Sequence, residues 1–232
     1  VDTPLVLMAP APVLRWLAEY AALEPAIEGA YSVVESAMMQ HQDHPFAARL
    51  RDDLGLASCW NVRVDHCPHA YGLVLRSVRG WSLCYSGDCR PTPALATHAR
   101  DASVLIHEAT FEDDFLEDAR AKRHSTIAEA LAVARDMRAH RTVLTHFSQR
   151  YPSMPSSSPS SGNLQGDDDD DDDHFPSAVA VDDHRSSDKS PSFVFASDFM
   201  RVSFPDLLWA PRLMPAIQEV LASVVEADDD LY

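Results

Sequence analysis

Two rhythms of apolar residues alternate along this chain, one of period two or continuous, the other of helical period. "PLVLMAP" reads as a short buried strand, and "PVLRWLAEYAAL" then places Leu14, Leu17 and Tyr20 near one helical face. Between residues 30 and 53 the pattern thins to Phe46, Leu50 and Leu54, which predict one short helix. "CWNVRVDH", "YGLVLRSV" and "WSLCYSGD" predict three strands, the last two joined through "VRG" as a hairpin. "PALATHA" predicts a short helix, "ASVLIHEAT" a buried strand and "RTVLTHF" another. The helix between those two strands is the best signalled. Thr126 and Glu129 make a capping box, and Ile127, Leu131 and Ala134 supply the apolar stripe. Strands alternating with helices predict an α/β layer architecture.

Past Pro152 both rhythms stop. Residues 152–191 are rich in Ser, Pro and Asp and poor in residues that could be buried, which predicts a disordered insertion. Order is expected to return over 192–226, as a strand or hairpin in "SFVFASDFMRVSF" and a helix around "LMPAIQEVLASVV", with 227–232 a solvated acidic tail.

Charge narrows the choice of partner. Of a formal charge of −17, seven charges sit in the run Asp167 to Asp173, leaving −10 elsewhere, with 19 Lys and Arg in total. A nonspecific grip on phosphates needs clustered cations, so any nucleic-acid contact must be local or supplied by another segment. The Asp run itself reads as solvated. Cys59, Cys67, Cys84 and Cys89 form no CxxC pair and no segment resembles a secretory signal, which predicts reduced thiols in an intracellular protein. No apolar run reaches the roughly 18 residues that span a bilayer, so no membrane partner is expected. The chain opens at Val1 with no initiator methionine, an opening expected of a cut through a longer protein.

Among eleven histidines, His41, His44, His98, His140, His174 and His184 occupy polar or helix-end contexts and read as surface residues. His66, His69, His107, His124 and His146 remain. His66, Asp88 and His146 share a position: each ends or follows an apolar strand, where loops of α/β proteins gather functional groups. Imidazole and carboxylate converging there suit zinc. Each alone reads more readily as a strand-end polar group satisfied by backbone, and it is the three together that point to a metal. Glu108 and His124 form a second pair. His124 precedes a capped helix start, near the positive end of the helix dipole, and a carboxylate can fix its tautomer for acid catalysis. The other reading makes Glu108 a cap acceptor for a neighbouring loop and His124 a solvated residue.

"VDHCPHAYG", "YSGDCRP", "LIHEATFEDDFLEDARAKRHSTIAEAL", "VLTHFSQRYP" and "VFASDFM" stand in an order that resembles the carboxyl-terminal half of the long form of tRNase Z, from about Leu5 to Val225. The resemblance implies the metallo-β-lactamase fold, an αββα sandwich of which residues 1–151 and 192–226 would be the carboxyl-terminal portion. It implies a zinc-dependent endoribonuclease that removes the 3′ trailer of precursor tRNA by zinc-activated hydroxide attack on phosphorus, leaving a 3′-hydroxyl tRNA. By the same resemblance His66 serves one of two zinc ions, His146 the other, and Asp88 bridges them. His124 is then the proton donor to the leaving 3′ oxygen, oriented by Glu108. The implied location is the nucleus or the mitochondrion.

The family's HxHxDH motif is absent, as is any HxH triplet, and Phe199 stands where many long forms have His. An amino-terminal part of the same protein is therefore the expected partner, and this chain alone is expected to bind zinc weakly and leave precursor tRNA uncut, because three ligands cannot close two metal shells. The alternatives are a non-catalytic binding or scaffold remnant, and another hydrolase of the same fold.

Overall fold

Five apolar residues, Leu5–Ala9, form β1, and Tyr31–Glu35 form β2 beside it in parallel, with Leu5 opposite Tyr31. Parallel neighbours need a crossover, and α1 (Ala11–Leu23) supplies it. The computed structural model describes residues 5–27, 29–40, 46–148 and 193–229; the insertion expected at 152–191 lies outside them. α1 turns Leu14, Leu17 and Ala21 inward. Tyr20 is not on that face: three residues beyond Leu17 it stays 47% exposed and stacks on Trp16, with ring centroids 5.8 Å apart.

α2 (Ala47–Leu54) leads into a six-stranded sheet. β3 (Leu56–Arg63), β4 (Tyr71–Ser77) and β5 (Ser82–Tyr85) run antiparallel, and β6 (Val104–Glu108), β7 (Thr142–Thr145) and β8 (Phe193–Phe195) extend the sheet in parallel, in sequential order. The parallel strands are the runs "VLIHE", "TVLT" and "FVF", as expected of strands covered on both faces. The crossovers carry α3 (Pro93–His98) before β6, and α4 (Leu116–Lys122) and α5 (Ile127–Met137) before β7. β2 and α4 have no counterpart in the sequence reading. "SFVFASDFMRVSF" yields only the three residues of β8, and α6 (Ala210–Asp229) runs into the segment expected to be a solvated tail.

The sheet alternates as its pleat requires. Val74, Cys84 and Leu105 lie abreast on one face and pack against Leu95 of α3, Ala99 just after it, and Val133 and Met137 of α5. Leu73 and Leu75 face the other way, against Val6, Met8 and Val34 of the small sheet. The molecule is thus layered as helices, large sheet and small sheet. α5 buries Ala130, Val133, Ala134 and Met137, leaving Ile127 and Leu131 at the edge of that contact, and its capping box is complete in both directions. Such a cap contributes about 1 kcal/mol and fixes where the helix begins, hence where His124 stands.

His107 of β6 is wholly buried; its Nδ1–H donates to the Glu108 carbonyl at 2.6 Å and Nε2 meets no hydrogen-bond partner among the described residues. Burial pulls its pKa below the ordinary value, with the nearby Glu108 opposing. The unfolded chain therefore takes up a proton below about pH 6.5 that the folded chain refuses, so stability falls as pH drops through that value, by up to about 1.4 kcal/mol per pH unit. His107→Leu should lower the pH midpoint of acid unfolding, followed by circular dichroism; an unchanged midpoint would rule this out.

Candidate functional site

β3, β5, β6 and β7 all point their carboxyl ends to one edge of the sheet, as their pairing directions require. His66 follows β3 by three residues, Asp88 follows β5 by three, Glu108 ends β6 and His146 directly follows β7. The chain turns sharply to achieve this. Gly87, with φ +62, is where β5 breaks away, and a Cβ there would come within 3.0 Å of the Tyr71 carbonyl. His146 takes φ +63, a conformation that L residues with a Cβ adopt at a cost of order 1 kcal/mol and keep only where the surrounding structure holds the backbone.

Glu108 is the buried centre of this edge, only 1% exposed. Its Oε1 accepts from the Cys89 backbone N–H at 2.7 Å and from His124 Nδ1 at 2.8 Å. Its Oε2 accepts from the Thr110 hydroxyl at 2.7 Å and from the N–H groups of Thr110 and Ser125 at 3.2 and 3.1 Å. A buried carboxylate is stable only with such company. Five donors consume its lone pairs, so Glu108 has none to offer a metal, although it lies within 4.8 Å of nitrogens of His124 and His146. Both readings of Glu108 left open by the sequence are present at once: it caps the Ser125 loop, and it holds the His124 imidazole. The same negative charge, with burial as the larger cause, pushes the Cys89 thiol far up and out of reach of ionisation. Burial, then the Asp88 carboxylate, also raises the Tyr85 phenol.

The structure brings His66, Asp88, His124 and His146 together. Ligand atoms of His66, Asp88 and His124 lie within 4.8 Å of one another, and His146 Nε2 is 3.6 Å from Asp88 Oδ2. His66 Nδ1 is 2.8 Å from the Arg123 carbonyl, which can only accept, so the proton sits on Nδ1 and Nε2 keeps a lone pair. Arg123 in turn donates to the His66 carbonyl at 2.7 Å. A histidine pinned through one nitrogen to a backbone acceptor is the usual state of a metal ligand. Two ligand atoms on one tetrahedral zinc, each roughly 2.1 Å from it, stand roughly 3.4 Å apart, close to the separation of Asp88 and His146. The donor set of nitrogen and carboxylate oxygen fits zinc.

His69 and His107 do not join the cluster among the described contacts. Asp198 and Phe199 are both exposed, in a turn after β8. The sequence reading missed Arg90. Its guanidinium donates to the His124 carbonyl at 2.7 Å and pairs with both oxygens of Glu129, while its N–H donates to the Asp65 carbonyl at 2.8 Å. One residue thereby ties the loops bearing His66, Asp88 and His124 to the start of α5. A lone Arg two residues after a strand-end aspartate was the available signal. Beside His66 a cavity of about 540 Å³ opens, lined by Arg63, Asp65, Thr92 and Arg123 among others.

The model of the Beta-lactamase superfamily domain matches residues 2–147. The chain is 34% identical over 228 residues to "Ribonuclease Z, mitochondrial" of Drosophila melanogaster, covering 96% of this chain and 26% of that protein. It is 32% identical over 231 residues to "Zinc phosphodiesterase ELAC protein 2" of Homo sapiens, covering 96% of this chain and 24% of the other. The chain therefore spans about a quarter of the length of these curated relatives. Among solved structures, a long form RNase Z from yeast superposes with a TM-score of 0.72 at 22% identity, over 94% of this chain and 30% of that one, a likeness of fold. The sheet order, the convergent strand ends and the match of the family model over more than half its length agree: the chain belongs to the beta-lactamase superfamily, in which its similarity is to tRNase Z proteins.

Proposed function

We propose that this chain forms part of the catalytic unit of a zinc-dependent endoribonuclease that removes 3′ trailers from precursor tRNA. One observation carries the reading: imidazole and carboxylate donors with free lone pairs converge at one sheet edge, beside an imidazole anchored to a buried carboxylate. The named activities of the relatives support it. His66, Asp88 and His146 would hold zinc, and the remaining ligands would come from elsewhere in the protein that carries this chain. Zinc held there would supply Lewis-acid polarisation of the phosphodiester and a more acidic water. His124 delivers a proton to the leaving 3′ oxygen from Nε2, because Nδ1 is committed to Glu108. The bond to Glu108 fixes the orientation of the ring that makes this transfer. The mitochondrial relative supports a mitochondrial location; a nuclear one rests on the resemblance alone.

His124 stands near both groups of candidate ligands, so its role needs its own test. In the full-length protein, His124→Ala should slow cleavage of a precursor tRNA by about 10²–10⁴-fold while the zinc content, read by atomic emission, is unchanged. Loss of zinc in that variant would make His124 a ligand and overturn its assignment as the acid.

A further inference from the structure

The Thr110 hydroxyl lies between the two halves of the site. Its Oγ1 is 2.7 Å from Glu108 Oε2, 2.8 Å from His146 Nδ1 and 3.2 Å from His124 Nδ1. A hydroxyl has one proton and two lone pairs. The Glu108 carboxylate can only accept, and two oxygens at 2.7 Å with no proton between them would repel, so the hydroxyl proton belongs to Glu108. What remains toward His146 is a lone pair. His146 Nδ1 must then carry the proton and donate it to Oγ1, which leaves Nε2 unprotonated on the side where Asp88 Oδ2 stands 3.6 Å away.

We infer that Thr110 is a positioning residue that fixes the tautomer and ring orientation of His146 as a zinc ligand, relaying to it the same buried carboxylate that holds His124. This rests on the reading of His146 as a ligand, and it adds a dependence between the metal site and the proton donor: Glu108 acts on His124 directly and on His146 through one hydroxyl. Two neighbouring contacts make the relay rigid. Thr110 N–H also donates to Glu108, at 3.2 Å, and the Thr110 carbonyl accepts from Ser148 N–H at 3.1 Å, so both sides of the residue are held. The residue is 9% exposed, and no bulk water is needed to complete the hydroxyl's bonds. Without the hydroxyl, His146 keeps its place after β7 but loses the partner that selects its tautomer.

The experiment compares wild type, Thr110→Val and Thr110→Ser in the full-length protein. Valine keeps the branched shape and removes the hydroxyl; serine keeps the hydroxyl. Imidazole nitrogen shifts from ¹⁵N-histidine-labelled, metal-free protein should report the Nδ1–H tautomer of His146 in wild type and in Thr110→Ser, and a rise of the Nε2–H tautomer in Thr110→Val. Zinc affinity, measured by chelator competition, should fall about 10–100-fold in Thr110→Val and stay within about threefold of wild type in Thr110→Ser. An Nε2–H tautomer in wild type overturns the inference, a result that does not depend on either variant folding. Unaltered tautomer and zinc affinity in a folded Thr110→Val overturn it equally. Neither readout involves RNA, so failure of the proposed ribonuclease reading would appear separately, as wild-type protein that binds zinc through a fixed His146 yet leaves precursor tRNA uncut.

Discussion

Full-length protein carrying His146→Ala is expected to cleave precursor tRNA at least about 10³-fold more slowly than wild type, and to retain less zinc after dialysis against a weak chelator. The size follows from the role proposed for the residue. Losing a partner one bond removed from a metal typically costs 10–100-fold, and losing the ligand itself costs more. Among the described residues, His124 is the imidazole nearest to His146, and its Nδ1 is already bonded to Glu108. Glu108 already accepts from five donors, one of them the Thr110 hydroxyl. The backbone offers a control. His146 sits at φ +63, so His146→Gly relaxes the strain while deleting the ligand; it should be no less impaired than the alanine variant, although it folds at least as well. Cleavage within tenfold of wild type by either variant, with full zinc, would end the assignment of His146 as a ligand.

Glu108→Ala is expected to lower stability by about 3–5 kcal/mol, as well as reducing cleavage. Three backbone N–H groups, those of Cys89, Thr110 and Ser125, lose their acceptor inside the protein, each at a cost of about 1–3 kcal/mol, partly offset because a carboxylate no longer has to be desolvated. Glu108→Gln should fall between. One amide oxygen can still accept, but the amide NH₂ on the other side faces N–H or O–H donors and cannot. Urea unfolding measures the loss, and a variant within about 1 kcal/mol of wild type would show that the N–H groups find other acceptors. The pair of variants also separates the two jobs of the residue: in Glu108→Gln, cleavage should fall by more than the stability loss accounts for, because the charge-assisted hydrogen bond that holds the His124 ring is replaced by a weaker neutral one.

How much of this could be read from the chain depends on how far each residue's partners lie. β6 and α5 were legible because three successive apolar residues and a Thr–Glu capping box are local signals. β2 was not, since "YSVVE" is short and only Val34 in it is buried. α4 was missed for the opposite reason: "LEDARAK" buries only Ala119 and has no stripe to read. At the site, strand-end position marked His66, Asp88 and His146, and the helix cap marked His124. Order of motifs, more than spacing, turned those positions into roles. Thr110 and Arg90 stayed silent because their significance lies in where a hydroxyl proton points and which carbonyl a guanidinium reaches across loops, and neither leaves a pattern in sequence.

The saturation of Glu108 also bears on how this architecture can age. A residue whose removal collapses the loops cannot drift freely even when chemistry is no longer under selection. Copies of this domain that have lost activity should keep Glu108 long after Asp88 or His124 has gone, because the half-exposed aspartate and the imidazole are far less costly to exchange than a buried carboxylate with five dependants. Persistence of Glu108 would therefore testify to an intact fold, and on the proposed roles Asp88 with His124 is the pair whose survival would testify to a working site.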